Sequence, residues 1–79
     1  MAQIEWNDIN KIEKSRYMLH DKVHTTYSSF YINGEKYIQI DTYGKKNRAT
    51  PNSSSQTIQF DKESAKNLIN LLKKEFCIV

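Results

Sequence analysis

The pair Asn33-Gly34 constrains this chain more than any other feature. It lies between two runs rich in β-branched and aromatic residues, TYSSFYI before it and EKYIQIDTY after it. Both central residues of a type I′ turn need a positive φ, which asparagine and glycine tolerate best. The pair predicts a β-hairpin with strands near 23–32 and 35–43, the second ended by Gly44. SQTIQF, residues 55–60, reads as a further strand. The stretch between, KKNRATPNSSS, has no periodicity and reads as a solvated loop, basic first and serine-rich after. Pro51 within it cannot sit in a paired central strand.

After residue 60 the period changes. Ala65, Leu68, Ile69, Leu72 and Phe76 recur at steps of three and four, which is one face of a helix over about 62–76. Asp61 is placed to cap its first turn, and Lys73 and Lys74 to complement the dipole at its last. The first 22 residues are less patterned. A short helix or turn at 7–14 and a strand around 15–20 are expected there, with Trp6, Ile9 and Ile12 as the helical face. At 79 residues the chain has room for one small domain, 1–79, with a thin core. The expected class is α+β: a small antiparallel sheet of three to four strands with one C-terminal amphipathic helix packed on one face.

Strand parity then sorts the side chains. Ile38, Ile40 and Thr42 share a face, as do Ile58 and Phe60, and the helix is expected to cover that face. Tyr37, Gln39, Asp41, Tyr43, Thr57 and Gln59 are left looking outward, beside a loop carrying Lys45, Lys46 and Arg48. Tyrosines can stack on bases, amides can read base edges and loop cations can neutralise phosphates. Tyr37, Gln39, Asp41, Tyr43, Lys45, Lys46, Arg48 and Gln59 are therefore the candidate binding residues, and single-stranded nucleic acid is the first expected partner. Arg48 heads the set because a guanidinium grips phosphate or carboxylate bidentately. Two observations pull the other way. Alternating aromatic and polar residues are ordinary on the wet face of a sheet, and Asp41 repels phosphate.

Charge is permissive and no more: 12 basic against 9 acidic residues leave +3. Catalytic chemistry finds no pattern. One cysteine, Cys77, excludes an internal disulfide, and it falls at a helix C-terminus, where the dipole would raise a thiol's pKa. His20 and His24 are four apart in a segment that reads as strand or turn, so helical metal-ligand spacing does not apply and no metal is expected. The serines at 53–55 lack a nucleophile-elbow context, and two glycines ten residues apart cannot cradle a phosphate. The expectation is a non-catalytic binding module without a cofactor. No apolar run approaches the ~18–20 residues of a membrane span. MAQIEWNDIN lacks the apolar centre of a signal peptide, so a cytoplasmic protein is expected.

Gln39-Ile40-Asp41-Thr42-Tyr43-Gly44, then Arg48 and Pro51, then Ser55-Gln56-Thr57-Ile58-Gln59-Phe60-Asp61 and the helix SAKNLINLLKKEF resemble a small bacterial and phage family over roughly residues 23–76. That resemblance implies a strand-loop-strand-helix unit and no particular activity. In element order alone the chain is also similar to the positive cofactor four coactivator fold, a dimeric binder of single-stranded DNA. Its outer face is less basic than that fold's and has Asp41 at its centre, so no functional residues carry over. The rival expectation is a protein-interaction module, of the kind phages and mobile elements use to inhibit or regulate a host enzyme, since tyrosine and arginine are common interface anchors. A weaker third is a small-ligand sensor in which Arg48 and Asp41 hold a polar molecule. Self-association to a homodimer fits any of these, because so short a chain gains core by pairing.

Overall fold

The structure, a computed structural model, describes residues 1–44 and 54–79. Its elements run β1 (Ala2–Gln3), a 3-10 turn (Trp6–Asp8), β2 (His24–Ile32), β3 (Glu35–Tyr43), β4 (Gln56–Phe60) and α1 (Lys62–Phe76). The class is α+β, with the four strands in the order β1-β4-β3-β2. Residues 45–53 of the expected loop 45–55, with Lys45, Lys46, Arg48 and Pro51, lie outside the described residues.

The hairpin forms as its turn demands. Asn33 has φ 51° and Gly34 φ 82°, both on the positive side that a type I′ turn requires. A two-residue turn fixes the register of everything behind it. Ile32 pairs Glu35, Phe30 pairs Tyr37, Ser28 pairs Gln39, Thr26 pairs Asp41 and His24 pairs Tyr43. β4 adds to the other side of β3, antiparallel, with Gln39 opposite Gln59 and Asp41 opposite Thr57. The strand limits differ from the sequence reading by one residue at two ends.

The N-terminal expectations need correction. No helix spans 7–14 and no strand forms at 15–20; a single 3-10 turn stands at Trp6–Asp8. The edge of β4 is occupied instead by Ala2–Gln3, which pairs parallel to it, so the sheet is mixed rather than purely antiparallel. The Ile4 amide extends this ladder by donating to the Gln59 carbonyl at 2.9 Å. A two-residue strand leaves no periodicity to read. In the KIEKSRYMLH segment Tyr17, Met18 and Leu19 fall together instead of alternating with polar residues, and the segment runs exposed without pairing.

α1 begins as its sequence asks. The Asp61 carboxylate accepts from the Ser64 amide at 2.7 Å, the geometry of an N-cap bonded to its third residue. Ser64 is buried, and its hydroxyl donates to the Ile4 carbonyl at 3.2 Å. One joint thus ties the helix start to the end of β1. At the other end Cys77 takes a left-handed conformation, φ 54° and ψ 43°. The Ile78 amide bonds the Lys73 carbonyl and the Cys77 amide the Lys74 carbonyl, the paired bonds of a Schellman stop. Glycine normally holds that position.

α1 packs against β4 and the 3-10 turn. Closure over the isoleucine face is partial, and the expected thin core is thinner still. Among the described residues no hydrophobic side chain is buried. Ile38, Ile40 and Phe60 are half-buried, while Ile58 and the helix residues Ile69, Leu72 and Phe76 remain exposed.

Substitutions at two of the three positive-φ residues, Gly34 and Cys77, move stability in opposite directions. A non-glycine residue there costs about 1 kcal/mol. Cys77→Gly is expected to raise the unfolding free energy by about 1 kcal/mol, and Gly34→Ala to lower it by a similar amount. An added Cβ at Gly34 meets nothing within 4 Å, so that loss is purely conformational. Urea unfolding at one fixed protein concentration reads both.

Candidate binding face

The register brings His24, Thr26, Ser28 and Phe30 of β2 onto the same face as Tyr37, Gln39, Asp41 and Tyr43 of β3 and Thr57 and Gln59 of β4. Gln3 of β1 joins them opposite Gln59. A row of Gln3, Gln59, Gln39 and Ser28 therefore crosses all four strands, flanked by a second row of Thr57, Asp41 and Thr26. The sequence reading recovers the β3 and β4 members. It passes over Thr26, Ser28, Phe30, His24 and Gln3. The signal for the β2 residues was present, since a two-residue turn makes paired positions predictable from the turn alone.

These groups hydrogen-bond chiefly with one another. The Gln59 side-chain amide donates to Gln39 Oε1 at 2.8 Å, and the Gln39 amide donates to Asp41 Oδ2 at 2.9 Å. Thr57 Oγ1 donates to the other Asp41 oxygen at 2.5 Å, and Ser54 Oγ lies 3.4 Å from Thr57 Oγ1. The chain of bonds ends on a carboxylate that accepts on both oxygens. Donation from Thr57 above all, then from Gln39, holds the Asp41 carboxyl below the usual aspartate range, against a smaller opposing effect of desolvation. Asp41 therefore keeps its negative charge at neutral pH.

Aromatic pairs stand at the two ends of this network. Tyr37 stacks on Phe30 with ring centroids 5.5 Å apart and planes at 19°. Tyr43 lies against His24 at 5.1 Å, and its hydroxyl is 3.0 Å from Thr26 Oγ1. The tyrosines are half-buried rather than turned fully to water, because each ring has a neighbour across the hairpin. The Tyr37 hydroxyl donates to Glu35 Oε2 at 3.3 Å. Desolvation first, and then the Glu35 charge, raise its pKa above the ordinary tyrosine value.

Among the described residues two hollows open on this face. One, of about 210 Å³, is lined by Gln3, Phe30, Ile32, Tyr37 and Gln59; the other, of about 420 Å³, by Met1, Ala2, Gln3, Gln39, Thr57 and Gln59. A larger one of about 590 Å³ lies off the face, between the hairpin turn and the start of α1, where lysines and carboxylates alternate. No group of three metal-ligating side chains occurs among the described residues. Of the predicted site residues, Tyr37, Gln39, Asp41, Tyr43 and Gln59 are thus assembled on one surface, while Lys45, Lys46 and Arg48 are outside the described region. No protein-family model matches the chain, and neither the curated proteins nor the solved structures include one similar to it.

The Asp41 network has a pH signature. Its folded-state pKa is depressed, so the stabilisation it lends is present above the ordinary carboxylate pKa of about 4 and is lost as pH falls through the folded value. Thr57→Val removes the principal donor. Carboxyl-carbon NMR titration is expected to place the Asp41 midpoint below the ordinary 3.8 in the parent protein and closer to 3.8 in the variant. An unchanged midpoint would show that the Thr57 bond does not form.

Proposed function

We propose that the protein is a non-catalytic interaction module whose polar sheet face binds a protein partner presenting hydrogen-bond donors and positive charge. The observation that carries this reading is the charge of the face. Its strand residues include Glu35 and Asp41 and no lysine or arginine. Among the described residues Asp41 accepts from Thr57, Gln39 and Ser54, and a carboxylate can take about four hydrogen bonds, so some acceptor capacity remains at the centre of the face. A phosphate backbone brings acceptors and negative charge to a surface already supplied with both. A basic or amide-rich polypeptide segment brings what the surface lacks. The half-buried rings at both ends supply apolar anchors on a rigid frame, as aromatic residues do in protein interfaces.

Single-stranded nucleic acid is the second reading. The aromatic pairs Phe30–Tyr37 and His24–Tyr43 bracket a row of amides, a disposition suited to bases stacked at either end. In that case the neutralising charge has to come from outside the strand residues of the face, and the loop residues Lys45, Lys46 and Arg48 are the first candidates.

The two readings separate in one experiment of two arms. Immobilised protein is exposed to nuclease-treated lysate, and labelled oligonucleotides are titrated by anisotropy at two salt concentrations. The interaction reading expects a stoichiometric protein partner. Asp41→Asn is expected to weaken its retention about tenfold, the scale of one interface anchor, while Tyr27→Ala on the opposite face leaves it unchanged. Oligonucleotide binding that weakens steeply with salt, with no protein retained, would overturn it in favour of nucleic acid.

A further inference from the structure

We propose that a second copy of this chain covers the apolar stripe of α1, so that the core absent from one copy is formed between two. This goes beyond the polar-face reading, because it concerns the other surface and stands or falls independently of it.

Exposed apolar area supplies the first argument. The chain exposes 7462 Å². A compact monomer of 9.3 kDa exposes about 5,000 Å² by the usual scaling of surface with mass. The excess, roughly 2,500 Å², is shared between the exposed connection 9–22 and the uncovered side of α1, and a standard interface needs about 800 Å² from each partner. The Cα radius of gyration, 14.8 Å, likewise exceeds the ~12 Å of a compact domain this size. The excess is apolar where it counts. Ile69 is 53% exposed, Leu72 41% and Phe76 71%, all along one side of α1, and Ile58 on β4 is 41% exposed. Leu19, in the connection before β2, is 99% exposed. Uncovered stretches of this kind mark association surfaces in soluble proteins.

Why the occupant is a second copy follows from two further points. With no buried hydrophobic side chain among the described residues, the fold needs its partner whenever it forms, and another copy is present wherever the chain is made. The ends of α1 are also self-complementary. Asp61, Lys62 and Glu63 leave a net negative charge at its start, and Lys73, Lys74 and Glu75 a net positive charge at its end. Two α1 helices packed antiparallel about a two-fold axis bring each negative end against a positive one. They also oppose the helix dipoles, which is the favourable sense. The free edge of β2 offers another way to pair, but edge pairing satisfies backbone groups and leaves the α1 stripe in water.

Sedimentation velocity of the full chain from 1 to 100 μM, with isotope-filtered NMR of a mixed labelled and unlabelled sample, tests this. The expected result is a dimer, with intermolecular contacts at Ile69, Leu72 and Phe76 and a melting temperature that rises with protein concentration. Leu72→Lys is expected to weaken association at least tenfold. If that variant does not fold, the contacts and melting behaviour of the parent chain still decide. A folded monomer at 100 μM overturns the proposal, and so does a dimer whose contacts lie only along β2. Either result leaves the binding behaviour of the polar face untouched.

Discussion

The two-residue turn at Asn33-Gly34 determines which side chains share a surface. It holds both residues at positive φ and sets the β2–β3 register with no slack. A slip of one residue would exchange the two faces of β2 entirely. With the register as it stands, Thr26, Ser28 and Phe30 meet Asp41, Gln39 and Tyr37, and β4 brings Thr57 and Gln59 to the same side. Isoleucines 38, 40 and 58 turn the other way. The polar network and the apolar surface are thus two consequences of one local geometry.

The two surfaces solve opposite problems. On the polar face, amides, hydroxyls and a carboxylate that would need water find one another first. Such a network fixes rotamers and presents a prearranged surface, which lowers the ordering cost of any later binding. The apolar side has no equivalent closure within the chain. α1 is anchored at its start by the Asp61 cap and the Ser64–Ile4 bond, and the Lys11–Glu75 ion pair at 3.2 Å adds a tie near its end. That pair is solvent-exposed and worth little by itself. Anchoring at the ends positions the helix while its apolar stripe stays open.

Much of this was legible in the residues. The hairpin, β4 and α1 carry strong local signals: a turn pair with one compatible geometry, period-two alternation, period-three-and-four recurrence and a capping aspartate. The parity of Tyr37, Gln39, Asp41, Tyr43 and Gln59 follows from those signals, as does their assembly on one face. The N-terminal segment was not legible. A strand of two residues, Ala2–Gln3, has no period, and its parallel pairing depends on where β4 leaves an edge free. Hydrogen bonds inside the polar face were equally out of reach, because they depend on cross-strand distances and not on composition. The half-burial of Tyr37 and Tyr43 has the same origin: each is shielded by a ring, Phe30 or His24, from the neighbouring strand.

Both surfaces depend on register and face, and side-chain NOE spectroscopy reads both directly. It requires contacts between the Gln39 and Gln59 side-chain amides, between the Phe30 and Tyr37 rings, and between Thr57 and the Asp41 methylene. A spectrum in which Ile38 or Ile40 contacts the Gln59 side chain, with the Phe30–Tyr37 contact missing, would place the strands one residue out of step and contradict both surfaces at once.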